Sequence, residues 1–369
     1  MTENGSSGWT FEWLTRWDEV WDGAFVKLWQ DLLDRSPQGH VFYHPSLVRA
    51  WWESSAGSGV HTPMFVVARR GEDNVALFPL ALYRFGWKQG FQRLIAPVGG
   101  DDFDYYDPIL SWNGAADGTI DLWPCLKAEL SRRWRQRYDV LAMRRLKYPE
   151  YLGVLGGIPV DHAPAIDLGG FGSLEDFLKG GKRRNLRHQV HNHRHQAAKL
   201  GALSFHVFGS EEGGEAIRSL SRFAEVHAQR WGYAQRHGRL SFYEQLVHRC
   251  LVSGTFLLSE VRLEEVPFSW DLSLVHQGTC YDYVKAFANE MQNLAPGSLH
   301  LSFMVDWAIR QGMAVLDLGR GDEPYKSKWA NRVSDLYSLS EPATGLRAAL
   351  CTLWEQRVHP LLGKVRSAF

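Results

Sequence analysis

TCYDYVKAFANEMQNLAPGSLHLSFMVDWAIRQGMAVLDLG runs from Thr279 to Gly319. Its period changes twice. Thr279–Phe287 alternates, as a strand does, and strict alternation places Tyr281, Tyr283, Lys285 and Phe287 on one face. Pro296-Gly297 then breaks the pattern. Beyond it Leu301, Met304, Val305, Ala308 and Ile309 fall on one side of a helix. Gly312 is a natural C-cap for that helix, and Ala314–Leu318 reads as the next strand.

The reading extends in both directions. Upstream, 173–199 reads as helical and basic, Leu203–Phe208 as a strand, and 214–231 and 240–252 as helices. Thr255–Arg262 and Val266–His276 form a hairpin around a short acidic turn. The first half repeats this order. Helices near 15–34 and 45–54 precede strands Met64–Arg70, Val75–Tyr83 and Arg93–Val98. An acidic loop, a helix near 119–136 and a strand Tyr138–Arg144 follow. Two similar orders suggest an internal duplication. The expected fold class is α/β with mixed sheets, in two tandem units at 11–165 and 166–345 and a helical tail at 346–369.

The bulk composition fits this division. A chain of 369 residues exceeds one small core, so two domains are expected. The hydrophobic share of 45% and charged share of 22% are those of a globular protein. The 41 basic and 41 acidic residues cancel, which argues against a dedicated nucleic-acid or membrane-surface protein. Sixteen tryptophans suggest large aromatic surfaces. The four cysteines form no C-x-x-C pair, so neither structural zinc nor a disulfide framework is expected. The N-terminal residues lack the pattern of a signal peptide, and no apolar run nears the roughly 20 residues that span a bilayer. The expected location is the cytoplasm.

Several residues carry candidate chemistry. Gly297, Ser298 and Leu299 open a helix, where bare amides and a positive dipole end can hold an anionic group; a plain turn is the alternative. Asp317 closes a buried strand and is either a general base, an orienting group, or a structural acid bonded to Arg320 or the turn backbone. Lys285, among aromatics, either lines a cleft or snorkels to an edge. HAQRW places His227 and Trp231 one helical turn apart, beside Arg230; acceptor binding and helix packing are both open. In GGDDFDYYDP (99–108), Asp101, Asp102, Asp104 and Asp107 suit a cationic amine, and Tyr105 and Tyr106 suit stacking on a sugar or peptide. The basic run 179–199 is either a solvated face or a contact for a phosphate-rich partner. His191 and His195 lie one turn apart, but no third metal ligand is evident and no metal is expected. There is no G-x-S-x-G, H-E-x-x-H or Walker A sequence.

Four segments carry a family resemblance: KRRNLRHQVHNHRHQ (182–196), HAQRW (227–231), APGSLHL (295–301) and DLGRGDEPYKSKW (317–329). In these and in element order the chain resembles the CelD/BcsL-type acetyltransferases of the GNAT superfamily and the related FemAB-like transferases, which carry two GNAT-like units. The resemblance implies acyl transfer from acyl-CoA, likened to acetyl-CoA, to a small-molecule, saccharide or peptide acceptor, with no metal. It implies that Tyr325 protonates the leaving thiolate, that Lys326 binds an anionic group, and that Arg320 lies near substrate. The R/Q-x-x-G-x-G/A donor loop is degenerate, reading Leu294-Ala295-Pro296-Gly297-Ser298-Leu299. Two alternatives follow: transfer from aminoacyl-tRNA held by the 179–199 helix, or a non-catalytic GNAT-like scaffold.

Overall fold

The computed structural model describes residues 8–54, 61–86, 91–111, 119, 121–153, 159–180, 183–231 and 236–353. In chain order the elements are β1 (Trp9–Leu14), α1 (Trp17–Val20), α2 (Gly23–Arg35), α3 (Pro45–Glu53), β2 (His61–Arg70), β3 (Asp73–Arg84), β4 (Arg93–Pro97), β5 (Ile109–Leu110), α4 (Leu122–Arg133), β6 (Val140–Leu146) and β7 (Pro159–Asp167). There follow α5 (Leu174–Lys179), α6 (Arg184–Ala198), β8 (Leu203–Val207), α7 (Gly213–Trp231), α8 (Arg236–Leu246), β9 (Phe256–Leu263), β10 (Val266–His276), β11 (Thr279–Phe287), α9 (Pro296–Arg310), β12 (Val315–Asp317), α10 (Lys326–Trp329), β13 (Arg332–Pro342) and α11 (Leu346–Leu353). The α/β class and the two units of like strand order match the expectation.

The boundaries differ from those read in the sequence. One unit takes the described residues of 1–48, 57–160 and 336–369, and the other those of 49–56 and 161–335. The expected tail is not separate where it is described: Arg347 donates to the Asp139 carboxylate at 3.1 Å and to the Phe91 carbonyl at 2.7 Å. Residues 354–369 of the expected tail lie outside the described residues.

In the first unit the strands run β1-β2-β3-β4-β6-β13. β4 and β6 are parallel and β13 is antiparallel to β6. In the second unit the strands run β8-β9-β10-β11-β12-β7, with β11 and β12 parallel and β7 antiparallel to β12. The closing strands are exchanged. β7 follows β6 in the chain yet ends the strand order of the second unit, and β13 follows β12 yet ends that of the first.

The first core packs α4 on its sheet through Leu122, Trp123, Leu126 and Leu130, against Val66, Phe78, Leu80 and Leu141. The second packs α9 through Leu301, Met304, Val305 and Ala308 against Ile166, Cys280 and Leu316, with Phe177, Leu186, Val190 and Trp329 around them. Pro296 sits at the first turn of α9, where its missing N–H costs nothing. Gly312, at φ +69°, supplies the left-handed residue that ends it.

Candidate active site

β11 and β12 stay paired only over Thr279–Val315, Cys280–Leu316 and Tyr281–Asp317. β12 ends there, while β11 continues to Phe287. A wedge opens between them. α9 starts beside it: a Cβ placed on Gly297 would lie 3.8 Å from the Phe287 ring. The Ser298 and Leu299 amides both donate to the Ala295 carbonyl at 3.0 Å, and Pro296 has none to give. Leu299 also sends its side chain into the core. Of the three residues expected to hold a donor anion, Gly297 keeps its amide outside these bonds, together with the positive end of the helix dipole.

β11 departs from strict alternation. Leu272 pairs with Val284, and Ser273 pairs with Asp282, so Tyr283 is the extra residue of a β-bulge. Paired residues share a face. The expected row of Tyr281, Tyr283, Lys285 and Phe287 is therefore broken. Asp282 joins Lys285 and Phe287 on the face of Asp271 and Ser273, and Tyr281 turns to the other side with Leu274. Asp317, the register partner of Tyr281, lies with it and away from Lys285.

The face that carries Lys285 is polar and closed. Lys285 forms ion pairs with Asp282 and, at 3.5 Å, with Asp271. Its ammonium lies 5.8 Å from the centre of the Tyr325 ring. Asp271 is fully buried and accepts from Ser273 Oγ at 3.0 Å. Its burial and the neighbouring Asp282 push its carboxyl up to about 7. Burial works against charge on Lys285, but the two carboxylates outweigh it and hold the ammonium above the ordinary lysine range. Burial, then Asp282, also raise the Tyr325 phenol, so it stays protonated at neutral pH. Beneath them His300 of α9 bridges Ser259 Oγ at 2.9 Å and Ser269 Oγ at 3.0 Å. Burial and Lys285 lower its pKa far below the ordinary value, so the ring is neutral.

The turn after β12 is held from within. Gly319 and Gly321 adopt φ +71° and +106°, and Asp317 accepts from the Gly319 amide at 2.9 Å. Lys326 is buried, bonded to the Arg320 carbonyl and paired with Glu323 at 2.8 Å. It is thus committed to its own turn rather than presented to an anionic ligand. Arg320 is exposed, 3.9 Å from Asp161.

His227 is half-buried on α7 and stacks on Phe223 at 5.5 Å. The side chains of Arg230 and Trp231 lie outside the described residues. In the first unit Tyr105 and Tyr106 are buried, which corrects the expectation that they stack on a ligand. Tyr105 carries Lys147 over its ring at 3.5 Å, and Arg145 lies 4.9 Å over Tyr106. Asp104 is half-buried beside them. Asp107 is buried and accepts the Lys147 and Tyr148 amides at 3.0 and 2.8 Å; burial pushes it up to about 6. In the basic run, Arg187 and His191 bind Glu175, Arg183 lies over Phe177, and Arg194 reaches Ser302 Oγ at 3.1 Å. Among the described residues no cluster of His, Cys, Asp or Glu is arranged to hold a metal, and no helix is long and apolar enough to cross a membrane.

Residues 184–327 match the family model described as an acetyltransferase (GNAT) domain. That stretch runs from α6 through the wedge to the turn holding Tyr325. The fold of the chain is similar to that of FemX, with a TM-score of 0.63 and 12% identity over 90% of this chain and 98% of that one. It is also similar to the C-terminal domain of a putative lysylphosphatidylglycerol synthetase from Agrobacterium fabrum, with a TM-score of 0.55 and 14% identity over 90% and 95% of the two chains. A conserved protein of unknown function from Bacteroides thetaiotaomicron gives 0.55 and 11% over 87% and 97%. No curated protein matches the sequence.

Proposed function

We propose that the chain is an acyltransferase that moves an acetyl or longer acyl group from acyl-CoA to an amine or hydroxyl acceptor, with the reaction in the second unit. The observation that carries this reading is the wedge. β11 outruns β12 by the segment Asp282–Phe287, and the dipole end of α9 rises beside it. Where one strand runs on past the end of its neighbour, an extended ligand arm can lie along it. A helix N-terminus favours the anionic end of that ligand. The GNAT domain match over the same residues supports the same chemistry.

In this reading the acceptor attacks the thioester carbonyl as a neutral nucleophile. The new C–N or C–O bond forms, the C–S bond breaks, and the departing sulfur takes the proton of the Tyr325 hydroxyl. The acceptor's proton restores the Tyr325 phenol, and Asp317, on the other face of the strand, holds the turn that leads to Tyr325 by accepting from the Gly319 amide. Lys285 supplies fixed positive charge where negative charge develops. An acceptor from polysaccharide or envelope biosynthesis agrees with the CelD/BcsL resemblance.

Titration calorimetry with acetyl-CoA and longer acyl-CoAs tests the reading, with Ser298→Trp as the blocked-site control. Micromolar binding by the native chain, lost in the control, is the expected result. No heat with any acyl-CoA overturns it and turns attention to charged tRNA as donor.

A further inference from the structure

α6 and the residue that follows it carry two polar rows. Arg184, His188, His191, His195 and Lys199 recur at steps of four, three, four and four, which keeps them on one side of a helix. Asn185, Gln189, Asn192 and Gln196 repeat the step one residue on and form a second row beside the first. All of these residues are exposed. The opposite side of α6 buries Leu186, Val190 and Ala197. Over about 22 Å of helix axis the outer face offers basic side chains along one row and amides along the next.

This composition works against the helix itself. α6 contains no acidic residue. Like charges one turn apart repel, and Arg184 in the first turn opposes the positive end of the dipole. A solvated helix face is normally laced with both signs. Glu175 of α5 answers part of the charge by pairing with Arg187 and His191. Arg184, His188, His195 and Lys199 have no ion pair and no side-chain hydrogen bond among the described residues. The charges of the whole chain cancel, so the excess is local to this face.

We propose that α6 is a docking face for double-helical RNA. Arg184 and Lys199 neutralise phosphates, the histidine rings offer N–H donors between them, and the amide row meets 2′-hydroxyls. Neither row holds an apolar side chain, so a bilayer gains nothing from insertion of this face. The shape of the surface chooses among nucleic acids. The B-form major groove admits a whole helix, whereas α6 shows one side and buries the other. The minor groove of A-form RNA is wide and shallow and displays 2′-hydroxyls. Asn and Gln side chains both donate and accept, as that hydroxyl does. The rows lead toward the start of α9, because Ala197 packs in one cluster with Leu299. The proposal stands on α6 and holds whichever donor the wedge takes.

Fluorescence anisotropy tests it, with a labelled RNA duplex of about 16 base pairs and the DNA duplex of the same sequence. The native chain should bind the RNA with a micromolar Kd at about 50 mM salt and at least tenfold more weakly at about 200 mM. No binding at the lower salt overturns the proposal. Arg184→Ala with Lys199→Ala should weaken binding at least tenfold and lower the salt slope by about two. Lys27→Ala with Arg135→Ala removes the same charge from the first unit and should leave binding unchanged; an equal loss there overturns the assignment to α6. Asn185→Ala with Gln189→Ala and Asn192→Ala should abolish the preference for RNA over DNA while keeping the salt slope. Equal affinity of the native chain for the DNA duplex, or for phosphatidylglycerol vesicles, overturns RNA as the partner. All the substituted positions are exposed, so truncation there leaves the core intact. None of these readouts involves acyl-CoA, so the acyl-transfer reading stands or falls separately.

Discussion

His300 is a histidine chosen for its two nitrogens rather than for its charge. It ties α9 to β9 and β10 through Ser259 and Ser269. Its removal takes a partner from each of two buried hydroxyls and leaves a cavity, so His300→Ala should lose about 3 kcal/mol of unfolding free energy in a urea titration. Asp107 acts through pH. Its folded pKa, about 6, stands above the unfolded value, so it contributes stability at low pH that is lost as pH rises through 6. Against Asp107→Asn, the native chain should lose up to about 3 kcal/mol of relative stability between pH 4 and pH 7. Urea titrations at the two pH values measure it; a constant difference would count against a buried, raised carboxyl. At this scale the sequence showed the types but not the company they keep. Lys285 stood out among aromatics. Asp271 left a visible signal too, an acid inside the apolar strand FSWDLSLV. Its link to Lys285 depends on a cross-strand register that no local pattern contains.

The elements divide by how much of their pattern is local. β9, β10, β11 and α9 carry strong periods and were legible almost to their ends. β1, β7 and β13 were not read at all. β7 reads PVDHAPAID and β13 reads RVSDLYSLSEP, with prolines and charges where a strand signal would be. What makes them strands is the distant partner each pairs with, which is a tertiary effect overriding weak propensity. The bulge was invisible for the same reason. One element also carries strain. Ala295 enters α9 at φ +48°, a left-handed conformation that costs an alanine more than a glycine. Ala295→Gly should raise stability by about 0.5 kcal/mol, since the freer unfolded chain offsets part of the relief. Thermal unfolding resolves the sign, and a decrease would mean the Ala295 methyl contributes packing.

Across the whole molecule, the strand orders of the two units match, and each order ends on a strand taken from the other half of the chain. The duplication was legible because strand order repeats within each half. The exchange was not, because it concerns the strands without a local signal. Its test is a chain ending at Asp335. That chain retains β1 to β6 but lacks β13 from Leu336 on, and β6 becomes an edge. Hydrogen exchange of the amides Val140–Leu146 should quicken at least tenfold relative to the native chain, while β11 keeps its protection. Unchanged exchange along β6 would show that β13 is dispensable to the first sheet.

The exchange also sets an order on synthesis. Domains commonly fold as they leave the ribosome, the earlier one first. Here the first unit cannot complete its strand order until β13 emerges, after every strand of the second unit. The second unit has all its strands, β7 to β12, in one continuous stretch, and can close its sheet before then. The half made first is therefore the half finished last. It waits with β6 bare, and a bare strand edge pairs readily with other chains. For this protein the hazard of aggregation lies in the nascent first half, and it ends only when the second half has been made.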